Sequence, residues 1–373
     1  MNSRQIFTSL SNLGECHSRV CKFKESLTFY NRALEIAQQE YGYYSVQVSS
    51  TLNCIGVTRF RSSMDKEILA EILALLTEAL AINQAIFSSH QNHGQARRNA
   101  TIMNNIGRVR FAREEYFEAM EMYEQAYKIR LAMFGEFHLD VAATLYNKGE
   151  VQELLGNLDS AISLYQKFLE IAIFKLGEGH HDIIIIYKNL AKIFHDRLEY
   201  AQATTMYLKA LDVIGKCFGN DHPDVVFILN EIGDICYKQE DFNVAIRVFQ
   251  EILNLQGNHS NASDKAYYYV LALINIADIS HKQGNLDEAL KFYNELLSIH
   301  RKSSQNQLDC LAIASTLLAI GLILGEKEQY LAASEVFEEA LAIQMKELGS
   351  NHIQVSNTLN VRDESKRNHN LSC

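Results

Sequence analysis

Proline is nearly missing: Pro223 stands alone in 373 residues, against an average usage of about 5%. Proline breaks helix interiors and marks turns, so its scarcity predicts a chain that is helix nearly throughout. Tryptophan is absent. No block of like charge occurs and the formal net charge is -10, which leaves no positive footprint for nucleic acid or an anionic membrane. The seven cysteines form no CxxC pair and no metal-like spacing. They read as reduced thiols, as expected of a cytoplasmic protein. The start MNSRQIFTSL lacks the apolar core of a signal peptide. No run approaches about 18 uninterrupted apolar residues; Ile183 to Ile186 is too short, and Asn275 and Asp278 interrupt the segment after Tyr267. The Asn-x-Ser/Thr matches at Asn99, Asn258, Asn261 and Asn370 then read as chance occurrences.

What the chain does contain is a register repeated from end to end. A small residue follows an apolar one at Gly14, Gly56, Gly107, Gly149, Ala191, Gly233, Ala277 and Gly321. In seven of these eight copies a second small residue comes twelve positions later, from Ser26 and Ala119 to Ala333. Four further on stands a ring: Tyr30, Tyr123, Tyr165, Tyr207, Phe249, Tyr293 or Phe337. The second copy fits only with four extra residues, which fall near Arg61 to Asp65. Each unit carries two apolar stripes at helical spacing, one per helix, separated by short polar turns such as Gly156-Asn157. Small residues let two helix backbones approach, and the ring fills the space beside them. One such pair cannot bury both its faces, so neighbouring pairs must stack.

This arrangement resembles the tetratricopeptide repeat, whose usual period is about 34 residues. Here the spacing is mostly 42, and a connector recurs between units. It reads Phe134-Gly135-Glu136-Phe137-His138-Leu139-Asp140-Val141, then returns at Leu176 to Ile183, at Phe218 to Val225 and, weaker, at Leu348 to Val355. The long period with this connector is similar to the kinesin light chain type of repeat. The resemblance implies an all-α solenoid, a right-handed superhelix of about eight antiparallel helix pairs. The units fall at about 5–42, 46–90, 97–135, 139–177, 181–219, 223–258, 264–303 and 309–349, then a partial helix at 353–361 and a polar tail at 362–373. The connector is replaced by longer polar loops after Asn258 and Ser303, and no heptad segment for pairing with a motor chain is present.

Catalytic signals are lacking. There is no GxxxxGK(S/T), GxGxxG, HExxH, GxSxG or EF-hand loop, and neither an enzyme activity nor a cofactor or metal is expected. The connector histidines His138, His180, His222 and His352 recur once per unit, so successive ones stand roughly 16–20 Å apart and cannot share an ion. They read as turn residues that satisfy helix ends. Asp140, Asp182 and Asp224 suit the start of the following helix, as caps and as charges matched to the dipole.

One polar stripe remains. Two residues before each marker lie Asn12, Cys54, Asn105, Asn147, Asn189, Glu231, Asn275 and Ala319. An interior helical asparagine costs up to about 0.7 kcal/mol relative to alanine, so alanine at these positions is expected to hold or raise stability. The same helix face carries Arg19, Arg61, Arg108 and Lys192, with Lys188 beside it. The resemblance places this face on the concave wall, where family members grip extended peptides. The alternative is a solvated face, or asparagines bonded to the neighbouring unit. Two functions follow: a scaffold that binds a linear peptide or partner helix, with acidic side chains favoured over the first three units; or a regulatory or sensory segment of a larger kinase, nucleotide-binding or motor-associated protein. Apolar faces at Leu10/Leu13 and Val355/Leu359 are expected to be uncapped and open to self-association.

Overall fold

The computed structural model describes residues 3–86, 93–256, 263–303 and 307–372. Among them the chain forms seventeen helices and no strand. The polar joints expected after Asn258 and Ser303, and the Asn258 and Asn261 matches, lie outside the described residues.

Two compact units meet at Arg197/Leu198. The first holds α1 (Ser3–Arg19), α2 (Phe23–Tyr41), α3 (Val46–Ser62), α4 (Lys66–Ala85), α5 (His93–Ala112), α6 (Tyr116–Phe134), α7 (Leu139–Leu154), α8 (Leu158–Leu176) and α9 (Asp182–Asp196). The second holds α10 (Tyr200–Phe218), α11 (Pro223–Lys238), α12 (Phe242–Gln256), α13 (Ser263–Lys282), α14 (Leu286–Ser303), α15 (Gln307–Glu326), α16 (Tyr330–Leu348) and α17 (Ile353–Ser372).

The repeated small residue and ring explain the pairing. Each ring of the register is buried, from Tyr165 and Phe249 at 0% to Tyr293 at 6% exposed. A Cβ added at Gly149 would come within 2.6 Å of the Tyr165 ring, and one at Gly107 within 2.5 Å of Tyr123. In α1/α2, α5/α6, α7/α8, α11/α12 and α15/α16 the first helix thus lies directly on the ring of the second. In the second pair Leu76 takes the place of the ring against Gly56. The four extra residues there divide unevenly: one lengthens the end of α3, three lengthen the start of α4, and the turn between them keeps three residues.

Seven turns inside the pairs share one geometry. The residue seven positions past each marker is left-handed: Cys21, Glu114, Gly156, Leu198, Glu240, Gly284 and Glu328, with φ between 59° and 77°. In six of them the next residue donates its N–H back to the first helix, as Asn157 does to the Gln152 carbonyl at 2.9 Å and Asp241 to Cys236 at 2.9 Å. This is the Schellman closure of a helix end. Only two of the seven are glycine, so the other five hold the conformation against Cβ repulsion.

The connectors start helices with histidine. Nδ1 of His138 accepts the N–H of Asp140 at 3.1 Å, and His180, His222 and His352 repeat the bond to the residue two positions on at 3.2, 3.2 and 3.3 Å. Stacked rings hold two of them, Phe134 on His138 and Phe218 on His222. The histidines therefore satisfy helix ends as the sequence suggested. The capping role read for Asp140 and Asp224 passes to these imidazoles, and the aspartates sit in the first turn with their own N–H as the donor.

Two expectations about the C-terminal end change. The helix begun at Ile353 does not stop at 361 but runs to Ser372, since 362–372 contain no glycine or proline to break it. Val355 is fully buried and Thr358 donates to Gln344 Oε1 at 2.8 Å. Of the apolar pair read as uncapped at this end, Val355 is thus covered and Leu359 half-buried, on a helix whose outer residues are mostly polar.

The helices α4 and α15 are each long and apolar enough to cross a membrane. In α4 this apolar content lies in the core, where Leu69, Ile72, Leu76, Ala79 and Ile82 pack with Val48, Leu52 and Ile106. In α15, Leu322 remains 46% exposed.

Candidate functional site

Within the first unit the first helices of successive pairs touch: α1 with α3, α3 with α5 and α5 with α7. These first helices form one wall of the stack, and it carries the polar stripe. The structure ties three of its members to the preceding pair by side-chain bonds. Asn105 Nδ2 donates to Asn53 Oδ1 at 2.9 Å, and Asn147 Nδ2 donates to Asn104 Oδ1 at 2.9 Å. Asn189 Nδ2 reaches the Tyr165 hydroxyl at 3.3 Å. Asn12 is exposed on α1, and Asn275 is half-buried on α13 of the second unit.

Three of these five asparagines are therefore bonded to the preceding pair. Their partners Asn53 and Asn104 stand one residue before the stripe, at a position that also holds Tyr146 and Lys188. Reading that adjacent position in the sequence would have exposed the ladder, because three amides, Asn53, Asn104 and Asn230, recur on it. An amide offers two donor hydrogens and an oxygen with two lone pairs, so each bond seen here uses only part of the hydrogen-bonding capacity of its pair.

The cations differ in how they are held. Arg19 is paired to Glu15 at 2.5 Å, with both groups largely exposed. Arg61 donates to Ser18 Oγ at 3.2 Å and lies over the Phe23 ring, while Arg108 lies over Phe60. Among the described residues no carboxylate stands within ion-pair distance of Arg61, Arg97 or Arg108. Lys188 is half-buried on α9, and Lys192 donates to Glu153 Oε1 at 2.9 Å.

Two features of this wall escaped the sequence reading. Between α3 and α5 lies a cavity of about 180 Å³, lined by Ser50, Asn53, Arg97, Arg98 and Thr101 with Cys54 and Ile102 behind. Thr101 and Ser50 sit six residues before their markers, a position that looks unremarkable without a fold to place it. Further along, Tyr146 donates to Glu150 at 2.7 Å and Tyr165 to Glu153 at 3.0 Å. Burial holds the Glu150 carboxyl above the usual carboxylate range, with Glu153 adding to the rise and the Tyr146 bond and Arg108 opposing it. Burial likewise lifts the hydroxyls of Tyr123, Tyr146 and Tyr165.

One group at a connector has metal-ligand chemistry: side-chain atoms of His180, His181 and Asp182 lie within 4.8 Å of one another. Nδ1 of His180 is already used as the acceptor for the Asp182 N–H.

Tetratricopeptide repeat family models match residues 5–85, 98–173, 140–213 and 182–257, and further models of that description match 270–302 and 313–354. No curated protein sequence matches the chain. Among solved structures, the apo form of RapI is 15% identical, covers 97% of each chain and gives a TM-score of 0.59. BtubC (BKLC) from P. vanneervenii is 18% identical over 70% of this chain and 95% of its own, with a TM-score of 0.51. A putative kinesin light chain from Podosopora anserina, with nearly identical TPR-like repeats, is 16% identical over 57% of this chain and 99% of its own, with a TM-score of 0.48.

Proposed function

Since the chain belongs to the tetratricopeptide repeat family, a fold that is generally non-catalytic, we propose that it is an interaction scaffold whose first-helix wall over α3 and α5 binds an extended, acidic segment of a partner protein. The observation that carries this reading is a set of arginines that form no close ion pair among the described residues. Arg61, Arg97 and Arg108 share that wall with a cavity bordered by hydroxyl and amide groups. Arg61 and Arg108 rest on aromatic rings, which lowers the entropy lost when a ligand fixes them. The asparagine pairs hold neighbouring first helices in register and retain hydrogen-bonding capacity toward a peptide backbone. Asn105, Asn147 and Asn189 thus act first as struts and second as contacts.

The test is fluorescence anisotropy with a short labelled peptide rich in aspartate and glutamate, against its lysine-substituted counterpart. The acidic probe should bind and the basic one should not. Arg61→Glu with Arg108→Glu should weaken binding by about 10-fold or more, because hydrogen bonds to charged groups contribute about 1.5–3 kcal/mol each. Added salt should weaken it further. Equal binding of the two peptides would remove the arginines from the account.

A further inference from the structure

The amide ladder of the first unit has a counterpart in the second unit, between α15 and α17, where the amides are gone. Val355 stands in α17 where Val141 stands in α7, and both are fully buried. Counting six residues on from each places Val361 at the position of Asn147. On α15, the position of Asn53 and Asn104 is held by Leu318. The bond that closes the wall between α5 and α7 therefore has no equivalent here. In its place is an open cavity of about 260 Å³ lined by Leu311, Leu318, Leu322 and Val361, with Gln344 and Gln354 among its polar lining residues.

A second cavity of about 260 Å³ continues from it, sharing Leu322 and Val361. Its character is different: Glu326 and Glu364 line it, together with Ser365 and Asn368. No lysine, arginine or histidine lines either cavity. The cations nearby are engaged elsewhere, Arg362 with Asp363 and Lys366 with Glu338. Glu326 accepts His281 Nε2 at 2.9 Å, and Glu364 is exposed. Gly325 keeps the floor open, since a Cβ there would meet nothing within 4 Å.

We propose that this trough between α15 and α17 is a docking site for a partner segment that presents a bulky apolar side chain next to a lysine or arginine. The apolar side chain enters the cavity under Leu322 and Val361. The neighbouring cation reaches Glu364 and shares Glu326 with His281. The glutamine amides offer donors and acceptors to the backbone of the segment. The charge of the trough selects the occupant: two carboxylates without a lining cation disfavour an acidic segment and favour a basic one. This inference rests on the reading of the first-helix wall as a binding face, but it concerns another place and the opposite charge.

The experiment uses the full chain and short labelled peptides carrying a central Leu-Lys pair, with Ser-Lys and Leu-Glu counterparts. The Leu-Lys probe should bind, and replacing its leucine by serine should weaken it by about 10-fold or more, the scale of one buried aliphatic side chain. Leu318→Asn with Val361→Asn rebuilds the amide pair of the upstream joints and should remove the preference for leucine. Leu322→Gln, at a half-exposed position, should weaken the Leu-Lys probe without affecting folding. Glu326→Gln with Glu364→Gln should remove the preference for lysine over glutamate and keep that for leucine. Equal binding of the Leu-Lys and Ser-Lys probes, or equal binding by wild type and Leu322→Gln, would overturn the proposal. So would a dimer in analytical ultracentrifugation that Leu322→Gln abolishes, which would assign the trough to a second copy. Failure of the acidic probe at α3 and α5 with retention of the Leu-Lys probe here would reject the upstream reading and leave this one.

Discussion

Asn147 donates its Nδ2 hydrogen to Asn104 Oδ1 at 2.9 Å, joining two helices whose residues lie 43 positions apart in sequence. Both side chains are buried, at 9% and 8% exposure. Helix propensity alone favours alanine at Asn147, by up to about 0.7 kcal/mol. The bond opposes this, since losing it removes about 0.5–1.5 kcal/mol and leaves a buried acceptor on Asn104.

Asn147→Ala should therefore destabilise the protein by about 1 kcal/mol in urea unfolding, contrary to the gain that propensity suggests. A double-mutant cycle with Asn104→Ala should show a coupling of at least about 0.5 kcal/mol. Additive effects would mean that the amides do not act as a pair.

Gly149→Ala should cost about 1–3 kcal/mol, because the new methyl group would overlap the Tyr165 ring. Gly325→Ala, in the same kind of helix but facing open space, should stabilise by up to about 1 kcal/mol. Thermal melts of the two variants should move in opposite directions.

Glu240 holds φ at 61° in an exposed turn. Glycine adopts this region without Cβ repulsion, so Glu240→Gly should stabilise by about 1 kcal/mol, allowing for the entropy glycine adds to the unfolded chain. A lower melting temperature would show that the Glu240 side chain supports the turn.

Burial raises the Glu150 carboxyl, and the sign of its effect follows. The folded state binds this proton more tightly than the unfolded chain does. Its contribution is fully present below the ordinary glutamate pKa, about 4.3, and is lost as pH rises through the raised folded value. Glu150→Gln, which keeps an acceptor for Tyr146, should raise the melting temperature near neutral pH and have little effect in acid. Glu124 behaves in the opposite way: Lys148, bonded at 2.6 Å, lowers its carboxyl. Its contribution is present above the ordinary value and is lost as pH falls through the lowered one.

The repeat register was legible in the sequence because it rests on close packing. Gly149 and Tyr165 must be small and ringed to fit each other, and the same demand recurs in each pair. The connector histidines were legible for a similar reason, since a helix start needs an acceptor at a fixed offset. The asparagine stripe was visible as an oddity, but its role depended on Asn53 and Asn104, one position before the stripe on the facing helix, where the signal was there to be read and was missed. The helix at 362–372 was read as a tail because its composition is polar. It is helical because the preceding turns carry it and Ser365 packs inward. The cavities at α3/α5 and α15/α17 are properties of two helices at once, and neither helix announces them alone.

The most direct test of the first-helix wall as the binding face is hydrogen–deuterium exchange with the acidic probe bound to the full chain. Protection should rise on the first helices α3 and α5, around Asn53 to Arg61 and Arg97 to Arg108, and stay unchanged on the second helices α4 and α6. Protection confined to α4 and α6, or to the connectors at His138 and His180, would contradict the account.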